Sequence, residues 1–349
     1  MKYLENNNIP HIPKPPVRYG VIGLGRMGTL HLENLLKIGP KIQVTAVSDV
    51  DAKRLKYAKK RNPTAIATSD YKSLLGSVDA VSICTPTETH CEIAEFFLEN
   101  KVATLVEKPI AVNLTEAQKI LWASQATKTP LHIGHIERFN PTIIKAKELI
   151  NRPIFIETVR FGPYEPRVHG IGVILDLMIH DLDLILWLLS DLDVTLEEFQ
   201  AQGISIISPH EDMVKVRLRF REKNVSHPIL VDLTASRLSM DRMRKMRIYQ
   251  EDSSLNLDLL NHKLHYHRPR TFPLTDVKDI RTIKPKLPKT NPLLQELEYF
   301  TRSVLSKNSR DVHPREAWDA LELALQLINT LERKNLHQPS APQTVLAGS

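Results

Sequence analysis

The sequence predicts an α/β protein of two domains. The first is a doubly wound parallel sheet, and the second is an α+β domain on a mostly antiparallel open sheet. Three observations predict it. From about residue 18 to 134, short apolar runs alternate with helical stretches, the pattern of a parallel sheet. From about residue 152 many runs alternate apolar with polar residues, as strands with one open face do. The 349 residues also exceed the size at which single cores usually stop growing. The expected organisation is a flexible arm over 1–16, a first domain over 17–136, a second over 137–336 and a disordered tail over 337–349. The arm is polar and proline-containing, and the tail is rich in Pro, Ser and Ala.

Composition narrows the function classes. A net charge of +7, from 47 basic and 40 acidic residues, is too mild to argue for nucleic acid, but it suits small anionic ligands. Cys84 and Cys91 form neither a disulfide framework nor a metal-spaced cluster, so no metal is expected. The N-terminal residues lack the order of a signal peptide, and the expected location is the cytoplasm, away from membranes.

The elements follow in order. Arg18–Ile22 reads as a strand and runs into Gly23-Leu24-Gly25-Arg26-Met27-Gly28, then a helix to about Ile38. G-x-G-x-x-G between strand and helix suits a dinucleotide: one glycine for the turn, one for pyrophosphate approach, one for close helix packing. The helix N-terminus then faces the phosphates. The next strand is Lys41–Ser48, and Asp49 ends it. An acid there can accept from the ribose 2′-OH of NAD and repel the 2′-phosphate of NADP. The alternative is that it merely caps the following helix, Asp51–Arg61, and Lys53 and Arg54 keep NADP as a minor alternative. Further strands are Ala80–Cys84, Val102–Val106 and Pro130–Gly134, with helices from His90 to about Asn100 and over Leu114–Ala126. This is a Rossmann pattern. Ligands bind such sheets outside the strands' carboxyl ends, where Thr85-Pro86 and Glu107-Lys108-Pro109 fall.

In the second half, strands are expected over 152–160, 198–208, 213–220, 228–238, 244–250 and 254–260. Two closing helices are expected over 291–306 and 313–334. The basic run Arg237–Arg247 reads as a solvated or interface strand face. Between the first two strands lies Gly172–Leu189, apolar and free of proline, which predicts a buried helix of about five turns. Asp176, Asp181 and Asp183 make it a poor membrane span. Asp176 and His180 share one face, Asp183 lies near it and Asp181 turns away. Such a pair is either a satisfied core pair or a general base with its orienting acid.

Together Gly23–Gly28, Cys84-Thr85-Pro86 with His90, Glu107-Lys108-Pro109 and Asp176-x-x-x-His180-Asp181 resemble the glucose-fructose oxidoreductase / inositol dehydrogenase (Gfo/Idh/MocA) family, over about residues 18–190. The resemblance implies an NAD-dependent dehydrogenase acting on a CH–OH group. It implies cofactor contacts from Gly23, Gly25, Arg26, Met27, Gly28, Asp49, Thr85, Pro86, His90, Glu107 and Lys108. It also implies that Lys108, Asp176 and His180 meet the substrate hydroxyl. His180 would act as base, Asp176 would orient the imidazole and Lys108 would stabilise the alkoxide.

Gly134–Pro141, Arg160–Pro163 with Pro166-Arg167, and Thr234–Arg237 are similar to the branch that oxidises nucleotide sugars, above all to members acting at C3 of UDP-N-acetylglucosamine. That likeness implies a UDP-sugar substrate and an aminotransferase that consumes the 3-keto product in lipid A synthesis. Gly170-Ile171-Gly172 departs mildly from the paired glycines that often precede the catalytic Asp in this family. Arg138, Asn140 and Arg167 are candidate substrate contacts, the two arginines by their fit to a diphosphate or else as ordinary salt bridges. Other readings stay open: a dehydrogenase of inositol, a free sugar or a UDP-uronic acid, or a non-catalytic NAD-binding sensor. An open sheet face predicts a homodimer or homotetramer.

Overall fold

The structure, a computed structural model, describes residues 16–166, 170–271, 273–274, 276–306 and 314–333. The expected tail over 337–349, and the expected arm apart from Pro16, lie outside these. The described residues form two compact units: those through Phe139 with those of Thr290–Leu321, and those of Asn140–Lys289 with those from Glu322 to Arg333.

The first unit holds a six-stranded parallel sheet in the order β3-β2-β1-β4-β5-β6. Its strands are β1 (Val17–Ile22), β2 (Ile42–Ser48), β3 (Ile66–Thr68), β4 (Ala80–Ile83), β5 (Ala103–Glu107) and β6 (Leu131–Gly134). The order reverses between β1 and β4, the Rossmann arrangement that opens a ligand crevice at their carboxyl ends. Helices α1 (Arg26–Leu35), α2 (Ala52–Arg61), α3 (His90–Glu99) and α4 (Leu114–Thr127) connect the strands. Residues of β1, β4 and β5 are buried throughout, with one half-buried exception at Arg18. That is why these strands read as continuous apolar runs rather than alternating ones.

The expected boundary, one cut near residue 136, differs from the structure. Helix α7 (Pro292–Leu305) belongs to the first unit. Leu293, Leu297, Phe300 and Val304 form a stripe buried against Tyr19, Leu32 and Leu35, and the Phe300 ring meets Tyr19 edge-on at 6.2 Å. The spacing of four, three and four residues makes one helix face.

The second unit is an eight-stranded sheet in the order β14-β13-β12-β11-β7-β10-β9-β8, in which only β7 and β10 pair in parallel. Its strands are β7 (Pro153–Phe161), β8 (Val194–Ile204), β9 (Met213–Glu222), β10 (Ile229–Ser236), β11 (Met243–Gln250), β12 (Ser254–Asp258), β13 (Lys263–Pro269) and β14 (Ile280–Ile283). On β9, Val214, Val216, Leu218 and Phe220 are buried. The other face carries cross-strand ion pairs, among them Arg217–Asp232 at 2.7 Å and Arg247–Glu157 at 3.1 Å. The apolar stretch Gly172–Leu189 forms a π turn (Ile174–Met178) that leads into α6 (Ile179–Leu189). Leu182, Ile185 and Leu189 pack into one core with Val216, Leu233 and Ile248.

Several expectations shift. β8 begins and ends four residues early, because Asp212 folds residues 205–211 into a loop by accepting amide N–H bonds from Ile206, Ile207 and Ser208. β3, β13, β14 and α5 (Pro141–Leu149) are additional elements. The basic run from Arg237 is not one solvated face, since Arg237 is 2% exposed. The final helix, α8, spans Pro314–Arg333. Among the described residues no helix is long and apolar enough to cross a membrane.

Candidate active site

The glycine turn sits where β1 ends and α1 begins. Gly23 adopts φ +81°, open to glycine at little cost, and a Cβ there would lie 2.8 Å from the Cys84 and Thr85 backbone. A Cβ on Gly28 would strike the Gly23 carbonyl oxygen. The chain's own packing therefore demands both glycines. Gly25 differs: apart from its immediate surroundings in the chain, no atom of the described residues lies within 4 Å of its Cβ position. Its bareness leaves the N-terminus of α1 open to a ligand, which fits a dinucleotide phosphate. Arg26 is exposed and Met27 half-buried in the first turn.

Asp49 follows β2 and is 6% exposed. One carboxylate oxygen accepts from the Leu24 N–H at 2.5 Å, and the other accepts from the Asp51 N–H at 2.8 Å. Arg54 lies 3.4 Å away. Asp49 thus ties the glycine turn to the end of β2, while Asp51 caps α2 by accepting from the Lys53 N–H.

Two further strand ends meet through His90. Its Nε2 lies 2.9 Å from the Thr85 carbonyl oxygen and its Nδ1 lies 3.0 Å from that of Pro109. Burial lowers the imidazole's pKa, although the carbonyls and Glu107 pull the other way. Thr85 is half-buried and Pro86 exposed. At the end of β5, Glu107 is buried and Lys108 half-buried. His31 reaches Glu107 Oε1 at 2.8 Å and Ser82 Oγ at 3.1 Å. Burial would raise the Glu107 carboxyl, but the His31 bond, aided by Lys108, holds it below its ordinary value. Ligand atoms of His31, Cys84 and Glu107 lie within 4.8 Å of one another, a proximity that sequence spacing does not reveal. Burial pushes the Cys84 thiol well up.

In the second unit, Asp176 lies in the π turn and His180 is the second residue of α6; both are half-buried. Asp181 is buried against Arg160, which donates to it twice, at 2.9 and 2.8 Å. Asp183 is 1% exposed. Of the four polar side chains from Asp176 to Asp183, the two expected to act are those that reach the surface.

The candidate substrate contacts fare differently. Arg138 forms an ion pair with Glu316, so its guanidinium has a protein carboxylate beside it. Asn140 is 1% exposed, accepts from the Thr142 N–H at 3.0 Å and donates to the Leu259 carbonyl at 2.9 Å. Asn140 is the buried cap of α5, and the Asn-Pro pair at 140–141 signals such a start. Arg167 lies outside the described residues. Sequence reading missed the cluster of Glu211, Asp212 and Arg237 beside Gly172. Arg237 donates to Asp212 at 2.7 Å and to the Ile171 carbonyl at 2.8 Å.

Comparison with known proteins identifies the family and the fold. A profile of the GFO_IDH_MocA oxidoreductase family, NAD-binding Rossmann fold, matches residues 17–135. UDP-N-acetylglucosamine 3-dehydrogenase of Acidithiobacillus ferrooxidans is 33% identical over 290 residues, 82% of this chain and 88% of that protein. Its solved structure superposes with a TM-score of 0.82 at 30% identity, covering 91% of this chain and 98% of the other. Myo-inositol 2-dehydrogenase of Thermotoga maritima is 33% identical over 224 residues, 59% of this chain and 65% of that protein.

Proposed function

The chain belongs to the Gfo/Idh/MocA family of NAD-binding oxidoreductases, and from that premise we propose that it oxidises the 3-hydroxyl of UDP-N-acetylglucosamine. The observation that carries the substrate is the extent of likeness. Alignment to the UDP-N-acetylglucosamine enzyme spans 82% of the chain, far more than the nucleotide-binding part supplies. The inositol enzyme matches 59%.

When bound, NAD supplies the hydride acceptor, and the protein supplies position and proton chemistry. The α1 N-terminus beside bare Gly25 receives the phosphates, and Asp49 accepts from the ribose. His180 takes the hydroxyl proton, the general-base role that imidazole most often fills. Asp176 orients the ring and stabilises its cation. Lys108 donates to the developing alkoxide. Arg167 contacts the diphosphate, with Arg138 as a second cation if its pairing with Glu316 yields to it.

Oxidation of a secondary alcohol by NAD near neutral pH runs uphill, so an aminotransferase that consumes the ketone should draw the reaction forward. We place the enzyme in lipid A diamino-sugar synthesis in the cytoplasm, as a homodimer or homotetramer. The test is turnover of NAD with a panel of UDP-sugars, free N-acetylglucosamine and inositol, read as absorbance of the reduced cofactor. UDP-N-acetylglucosamine should lead, and the free sugar should be very poor because the UDP group supplies remote binding energy. Better turnover of inositol or a UDP-uronic acid would leave the family intact and overturn the substrate.

A further inference from the structure

We propose that Glu211 is a positioning residue for the reaction: it fixes the turn that carries Asp176 by filling the space that Gly172 leaves. This rests on the assignment of Asp176 and His180 to the chemistry. The first amides of any helix lack partners within it, and here they are buried. Glu211 supplies two acceptors. Its Oε1 takes the Ile174 N–H at 3.1 Å, and its main-chain carbonyl takes the Val173 N–H at 3.0 Å. A Cβ on Gly172 would fall on the Glu211 carboxyl, so the acid and the glycine require each other.

The neighbouring residues hold this arrangement from behind. Asp212 accepts three loop amides and the Arg237 guanidinium, and Arg237 also donates to the Ile171 carbonyl. The chain is thus tied at three points, Ile171, Val173 and Ile174, as it enters the π turn. Asp176 hangs directly from them, with its N–H donating to the Gly172 carbonyl at 3.1 Å. π turns are rare and recur at functional sites. Glu211 anchors the first residue of this turn from outside it.

The test compares Glu211→Ala, Glu211→Gln, Gly172→Ala and the Gly172→Ala/Glu211→Ala double variant. Three quantities are read. They are hydrogen exchange over residues 173–181, kcat and KM with whichever alcohol the unmodified enzyme oxidises, and NAD affinity. Glu211→Ala should speed exchange on the order of 10- to 100-fold, because a buried donor loses its acceptor. It should lower kcat on the order of 10²-fold, as misplacement by about an ångström does, with NAD affinity unchanged. Glu211→Gln keeps the acceptor oxygen and should stay within about threefold of the unmodified protein. In the double variant the new methyl enters the emptied space, so its loss should be smaller than the product of the two single losses.

Unchanged exchange and kcat in Glu211→Ala would overturn the proposal. So would Glu211→Gln as damaged as Glu211→Ala. If Glu211→Ala does not fold, Gly172→Ala decides alone: normal exchange and turnover there would also overturn it. Exchange needs no substrate, so failure of the UDP-sugar assignment leaves this test standing.

Discussion

The two units each place a buried glutamate beside a residue assigned to the chemistry, and they hold it by different physics. Glu107 ends β5 one residue before Lys108, and Glu211 anchors the turn that leads to Asp176. Each sits against a glycine. A Cβ at Gly134 would lie 3.1 Å from the Glu107 carboxyl, tighter than ordinary packing, and one at Gly172 would coincide with that of Glu211. Glu107 has His31 and Lys108 nearby, and its carboxyl is held low despite burial. Glu211 has burial as its largest influence, with amide bonds and Arg237 as weaker opposing ones, and its carboxyl is raised. The comparison teaches that one carboxylate is held by charge and the other by hydrogen bonds and shape. Geometry is the common requirement; ionisation is not.

The largest expected effect tests whether the neighbours being positioned matter at all. His180→Asn or Lys108→Ala should lower kcat by roughly 10²–10⁴, the scale of acid–base groups, with NAD binding retained. Near-normal turnover in either variant would remove that residue from the chemistry and half of the comparison with it.

A middle effect separates the two glutamates directly. Glu107→Gln should destabilise at neutral pH by about 1–3 kcal/mol, as loss of a charged hydrogen bond does. A depressed carboxyl contributes stability above its unfolded pKa of about 4.3, and that contribution is lost as pH falls through the folded value. Glu211 has the opposite sign. Its raised carboxyl makes stability decline as pH climbs from about 4.3 towards the folded value. Glu211→Gln should therefore remove that decline and leave neutral-pH stability equal or higher. Denaturant midpoints of both variants at pH 4 and pH 7 measure this. Shifts of the same sign in both would break the comparison.

The smallest effect concerns the cofactor. The unmodified protein should favour NAD over NADP in kcat/KM, and Asp49→Ala should narrow that ratio by about tenfold, the worth of one charge-assisted hydrogen bond. Equal efficiency in the unmodified protein would contradict the role of Asp49. Arg54, 3.4 Å from Asp49, is the residue to examine next in that case.

Much of this was readable in the chain. Strand–helix alternation and the glycine spacing are local patterns, so β1, β2, β4, β5, β6 and the turn at Gly23 fall close to their expected places. Asp176 and His180 stand out as candidates because polar residues are conspicuous on an apolar helix. What escaped was long-range. The stripe on α7 announces a buried face but not which core receives it. Arg237 sits in a basic run, and its partner Asp212 lies 25 residues earlier, so spacing suggests a solvated face where the fold makes a buried one. The π turn leaves no mark in composition. β14 is only four residues long, too short for alternation to betray it.

The central claim is that hydride leaves C3 of a UDP-N-acetylglucosamine. The most direct measurement uses that sugar deuterated at C3, incubated with the protein, NAD, and an aminotransferase with its amino donor to consume the ketone. Mass spectrometry of the cofactor should find deuterium in the reduced nicotinamide, and the same sugar labelled at C2 or C4 should transfer none. Unlabelled reduced cofactor from the C3-deuterated sugar, or label transferred only from another position or from a deuterated inositol, would contradict the account.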